Sequence, residues 1–285
     1  MNMRRLGNTG EKLSVLGMGG IVVRDMPQEK ADSIVAEAID RGVNYFDVAP
    51  TYGDAEEKLG WALRGKREKV FLACKTKERS KEGAAASLRS SLERLQTTHF
   101  DLYQLHQMHT EEDFAAALGP GGALEALLEA KQAGLIRHIG FSAHSAEIAL
   151  QLIEAYDFET ILFPVNWVCY FNANFGPQVI KRAQQKGMGC LAIKTFALTE
   201  KQEGNARYPK SWYLPIEDRE LAALSLRFTL SQPVTAAVSC GDDRLFPAEL
   251  ELAEGFRETE SAEIARLHKE AEGLKPIFPR DPENV

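Results

Sequence analysis

Eight apolar runs of strand length recur from Ser14 almost to the end of this 285-residue chain, and they limit its fold more tightly than any other feature. They occupy residues 15–20, 43–49, 70–76, 100–106, 138–142, 161–166, 189–194 and 235–239. Each is short and rich in apolar or β-branched residues, the pattern of a strand buried on both faces. Between them, residues 28–41, 83–95, 123–133, 147–156, 178–186 and 218–231 read as amphipathic helices, with Gly42, Gly134 and Gly187 at the expected stops. Eight rounds of strand and helix predict an α/β chain closed into a (β/α)8 TIM barrel, with a doubly wound open sheet as the alternative. One barrel domain over residues 1–285, with a helical extension around 255–285, accounts for the whole length; no linker or repeat divides it.

Bulk composition narrows the partners. With 44% hydrophobic and 26% charged residues the chain can bury a large core, and a net charge of −7 offers no overall basic field to nucleic acid. Cys74, Cys169, Cys190 and Cys240 lie far apart without a CxxC pair, which argues against a zinc site or a disulfide framework. Arg4-Arg5 is followed by Leu-Gly-Asn-Thr-Gly rather than an apolar run, and no stretch reaches about 18 apolar residues. A cytoplasmic protein with reduced thiols and no membrane or nucleic-acid partner is expected; the oligomeric state is left open.

Phosphate loops fail on inspection. None of the pairs Gly17/Gly19, Gly119/Gly121 and Gly187/Gly189 extends to G-x-G-x-x-G. Residues 60–66 read GWALRGK, one residue short of a Walker loop, with Arg67 where the magnesium-binding Ser or Thr belongs. His106 and His109 at a strand end fall on opposite faces and have no carboxylate cluster beside them, so no metal site is expected.

A stronger constellation follows from the period of two. Val43, Tyr45 and Asp47 share one face, as do Phe71, Ala73 and Lys75, and Leu102, Gln104 and His106. Asp47, Lys75 and His106 thus end three inward columns at the C-terminal mouth, where barrel enzymes place their chemistry, and Tyr52 lies in the adjoining loop. Singly, each has a structural explanation: a helix cap, packing, a solvated strand end, a hydrogen-bonded core histidine. Together, in successive βα units, they point to a reactive site.

The run Asn44-Tyr45-Phe46-Asp47-Val48-Ala49-Pro50-Thr51-Tyr52-Gly53 resembles the DTAxxYG signature of aldo-keto reductases. The opening Arg5-Leu6-Gly7-Asn8-Thr9-Gly10, the lysine strand Ala73-Cys74-Lys75-Thr76-Lys77, the histidine strand Asp101-Leu102-Tyr103-Gln104-Leu105-His106 and the segment Ile136-Arg137-His138-Ile139-Gly140-Phe141-Ser142 are similar to that family too. The resemblance implies an NAD(P)H-dependent reductase of aldehydes or ketones, with Asp47, Tyr52, Lys75 and His106 as its tetrad. Tyr52 would donate the proton, Lys75 would draw its pKa down, Asp47 would hold Lys75, and a neutral His106 would orient the carbonyl. A nicotinamide-binding sensor and a hydrolase or lyase on the same barrel are the competing classes.

The resemblance also places Gly20, Ser142, Asn166, Lys194, Gly241 and Asp242 in the cofactor site. Here the sequence departs from the family pattern. Ser142-Ala143-His144 lacks the usual Asn, Asn166 stands near the expected Gln as its substitute, and Ile193 replaces the stacking aromatic, with Lys194 beside it for the pyrophosphate. NADP (NADPH) is the family's preferred cofactor, whereas Asp242 and Asp243 would repel a 2′-phosphate and suit a free ribose hydroxyl, which makes NAD (NADH) the alternative. Residues 196–217 form a long connection expected to cover the pocket, with Trp212 and Tyr213 facing a small-molecule carbonyl substrate.

Overall fold

Eight parallel strands close into a barrel in a computed structural model that describes residues 1–201 and 206–278. An antiparallel hairpin of β1 (Met3–Arg5) and β2 (Lys12–Ser14) comes first. The barrel strands are β3 (Leu16–Gly19), β4 (Tyr45–Asp47), β5 (Phe71–Thr76), β6 (Phe100–Met108), β7 (Ile136–Ala143), β8 (Thr160–Pro164) and β9 (Gly189–Ile193). An arm of β10 (Ala197–Glu200) and β11 (Tyr213–Pro215) follows, and β12 (Ala236–Val238) pairs with both β9 and β3 to complete the ring. All eight expected strands are present, and closure through β12 excludes the open sheet.

The helices are α1 (Gln28–Asp40), α2 (Ala55–Ala62), α3 (Lys81–Arg94), α4 (Glu111–Leu118), α5 (Ala123–Gln132), α6 (Ala146–Ala155), α7 (Trp167–Ala173), α8 (Pro177–Gln185), α9 (Arg219–Leu230), α10 (Phe246–Glu254) and α11 (Ser261–Ala271). Gly42, Gly134 and Gly187 follow α1, α5 and α8 with φ of 88°, 74° and 71°, the left-handed geometry a helix stop requires. Residue 166 was expected to end a strand; instead β8 stops at Pro164 and Asn166 caps α7, its Oδ1 accepting from the Cys169 N–H at 3.0 Å. The apolar stretch Trp167-Val168-Cys169 hid that helix because it carries no amphipathic period.

The core has two layers. Tyr45, Phe71, Ala73, Leu102, Leu162, Leu191, Ala236 and Val238 fill the barrel, and Leu6 and Leu13 from the hairpin join them. The outward faces of the strands pack against the helices in a larger apolar shell. Within the expected extension, α11 lays Leu267 and Ala271 against Trp167, Leu224 and Phe228. Residues 279–285 of that extension, and 202–205 of the long connection, lie outside the described residues.

Candidate active site

Asp47, Lys75 and His106 end the inward columns of three adjacent strands, β4, β5 and β6. They are 2%, 0% and 3% exposed, so their polar groups must be satisfied by one another or by a ligand. Lys75 Nζ donates to Asp47 Oδ1 and, at 3.1 Å, to the Val48 carbonyl. The other carboxylate oxygen accepts from the Tyr45 hydroxyl at 3.1 Å and from Gln104 Nε2 at 3.3 Å. Both supporting groups come from the same inward columns that carry Asp47 and His106.

Tyr52 reaches the cluster from the loop after β4. Lys75 Nζ lies 5.1 Å from its ring centroid, and His106 meets the ring edge-on with centroids 5.9 Å apart. His106 Nδ1 is buried without a hydrogen-bond partner among the described residues. Burial, then the Lys75 and Lys77 ammonium groups, holds the His106 pKa well below its ordinary value, so the imidazole is neutral. Burial alone would lower Lys75, but Asp47 and Tyr52 outweigh it and leave its pKa raised. Tyr52 corrects the expectation from sequence. Lys75 does pull its pKa down, yet burial of the phenol is the larger effect and the net shift is upward.

Two cavities open above these groups. The larger, of about 420 Å³, is bordered by Tyr52, His106, Ser142, Lys194 and Trp212. A smaller one beside it is lined by Gly19, Asp47, Tyr213, Ser239 and Gly241. Ser142 faces the larger, its Oγ accepting the Gln107 N–H at 2.8 Å. Lys194, with φ of 68°, points its ammonium between the rings of Trp212 and Tyr213, 5.0 and 5.2 Å from their centroids. It has no carboxylate partner among the described residues, and burial together with Lys75 lowers its pKa to about 8. Residues 209–213, which lead into β11, thus line the cavities at the barrel mouth.

Three expected cofactor residues sit differently. Gly20 begins a 3-10 turn packed on Val48, and it is Gly19 and Ile21 on either side that line the cavities. Asn166 is 1% exposed and turns away from them: its Nδ2 donates to the carbonyls of Lys194 and Ala197 while Oδ1 caps α7, so both ends of the amide are engaged. Asp242 is buried in a two-point pair with Arg244, at 2.8 and 2.7 Å, and Asp243 is bound by Lys30 and Lys210. Neither carboxylate caps α10, whose N-cap position is Leu245. Lys77, Lys210, Gln107 and His144 line the larger cavity without having been singled out. Of these, only Lys77 carried a sequence signal, two residues beyond Lys75 on the same alternation.

The cradle suits a dinucleotide in two respects. Lys194 has no carboxylate partner among the described residues, and Gly241, packed so closely on Ile21 that a Cβ would come within 2.5 Å of its Cγ2, brings the backbone to the cavity wall beside it. The sequence model of the Aldo/keto reductase family matches residues 15–241. The chain belongs to that family. The aldo/keto reductase family consists of oxidoreductases that use nicotinamide cofactors. One relative, the uncharacterized oxidoreductase YqkF of Bacillus subtilis, is 28% identical over 280 residues, covering 86% of this chain and 88% of the relative. The L-galactose dehydrogenase of Arabidopsis thaliana is 28% identical over 216 residues, 70% of this chain and 66% of that protein. The holo form of the aldo-keto reductase AKR11C1 from Bacillus halodurans superposes with a TM-score of 0.77 at 24% identity, covering 99% of this chain and 100% of that one. No helix among the described residues of this aldo/keto reductase is long and apolar enough to cross a membrane.

Proposed function

We propose that this aldo/keto reductase reduces an aldehyde or ketone to the alcohol, with Tyr52 as the general acid. The supporting observation is the buried Asp47–Lys75 pair, with Lys75 Nζ 5.1 Å from the Tyr52 ring centroid and the neutral His106 ring 5.9 Å from it. When bound, a reduced nicotinamide would supply a hydride, the hydrogen together with its bonding electron pair, to the carbonyl carbon. Negative charge then grows on the carbonyl oxygen, and the Tyr52 hydroxyl, neutral because its pKa is raised, gives up its proton there. Lys75 stabilises the phenolate left behind, Asp47 keeps Lys75 charged and in place, and His106, at the cavity wall, orients the oxygen.

Ser142, Lys194 and Gly241 would hold the cofactor, with Lys194 on the diphosphate. Cofactor choice turns on Asp242 and Asp243. Each is neutralised by a basic partner, which removes most of the repulsion expected from sequence, and the Arg244 side chain is 56% exposed beside them. This favours NADPH, with NADH as the alternative.

The test follows absorbance of NADPH and of NADH separately with a panel of aldehydes and ketones. Tyr52→Phe is expected to lose about 10²–10⁴ in turnover while keeping cofactor affinity, because only the acidic hydroxyl is removed. Wild-type turnover in the variant would dismiss Tyr52 as the acid; cofactor binding with no turnover of any carbonyl by the parent would favour a sensor.

A further inference from the structure

The charge around the larger cavity runs against that of the chain. Net charge is −7, yet among the described residues this lining holds Arg24, Lys77, Lys194 and Lys210 and no Asp or Glu. Lys194 and Lys210 also border the smaller cavity beside Gly241, and Lys210 is bound by Asp243; these two belong to the cofactor's side. Arg24 pairs with Asp25 at 3.1 Å. Lys77 remains: it is exposed and makes no ion pair or hydrogen bond with any described residue. Its place two residues beyond Lys75 carries the inward column of β5 on to the rim. There its charge reaches both His106 and His144, whose imidazoles are kept neutral first by burial.

We propose that the carbonyl substrate carries a carboxylate, which Lys77 receives at the rim while the carbonyl sits at Tyr52 and His106. The assignment rests on the reductase reading and adds a substrate class to it. A single unpaired ammonium flanked by neutral polar groups, Thr51 and Gln107 among them, matches one negative charge; a phosphate dianion calls for a denser set of donors. The cavity, about 420 Å³, is within the ordinary range for small-molecule sites.

The experiment compares three para-substituted benzaldehydes: 4-formylbenzoate, its methyl ester and 4-formylphenyl phosphate. The acid is expected to have a KM on the order of five- to tenfold below the ester's, the range for a charge-assisted bond partly open to solvent. That ratio should fall toward one in Lys77→Met and in about 0.5 M salt, and be kept in Lys77→Arg. The alcohol products give a readout that needs no turnover: calorimetry on the enzyme loaded with oxidised cofactor should show the same preference for 4-(hydroxymethyl)benzoate over its ester. Equal values for acid and ester, a ratio indifferent to Lys77→Met, or a preference for the phosphate would overturn the carboxylate assignment; turnover of the ester would then leave the reductase reading standing. Conversely, acid-selective binding without reduction of any aldehyde would support the carboxylate site and overturn the reductase reading.

Discussion

A lysine buried at 0% exposure stays charged only if its surroundings replace the water it has lost, and Asp47 with the Val48 carbonyl does so here. At Lys194 burial and the Lys75 charge outweigh the help from Asp47, so its pKa falls to about 8. The consequence for cofactor binding has a definite sign. An anionic diphosphate favours the ammonium form; below pH 8 that form is already present, and above it the amine must take up a proton on binding. Affinity for NADP should therefore weaken as pH rises past 8, by at most about tenfold per pH unit. In Lys194→Met, affinity should be lower at pH 7 and lack this dependence between pH 7 and 9, as measured by fluorescence titration. Parallel curves for parent and variant would remove Lys194 from the diphosphate site. The inward positions of Asp47, Lys75 and His106 were legible because alternation along a strand is local. The net direction of the Tyr52 shift was not, because it depends on how much distant chain covers the phenol.

Asn166 shows how an element can claim a residue that its type assigns to a ligand. Its amide caps α7 and ties down the carbonyls of residues 194 and 197, holding the end of β9 and the start of the arm against β8. Asn166→Ala should cost the cap, about 1 kcal/mol, and the buried bond to the Ala197 carbonyl, while the Lys194 carbonyl keeps the Ala197 N–H, for a total of about 2–3 kcal/mol in urea denaturation. Cofactor affinity should fall only as far as the Lys194 backbone loosens. Full stability with a large loss of affinity would restore Asn166 to the cofactor site. The strand-forming runs were readable within a residue or two, whereas α7 and the β10–β11 pairing were not. The first is apolar on every side, and the second pairs residues separated by a connection that gives no local sign of it.

At the scale of the molecule, the C-terminal extension is proposed to be part of the barrel domain. Leu267 and Ala271 of α11 are fully buried on Trp167, Leu224 and Phe228, Asn172 donates to the Ala271 and Leu274 carbonyls, and Arg227 pairs with Glu263 at 2.6 Å. Removing residues 259–285 should expose that apolar face and destabilise the protein by about 3 kcal/mol or more, read from the urea midpoint. The midpoint should move for the barrel as a whole; an unchanged barrel transition would mark the extension as an independent appendage. The sequence by itself determined the barrel, the inward columns and the residue types at their ends, since periodicity and spacing act between near neighbours and survive without knowledge of the rest. Only the tertiary structure decided that Asp242 is paired with Arg244, that the Asn166 amide caps α7 and binds two carbonyls, and that Lys77, Lys194 and Lys210 converge on one mouth. Those outcomes depend on burial and charge pairing between residues far apart in the chain, which barrel closure brings together and no local pattern encodes.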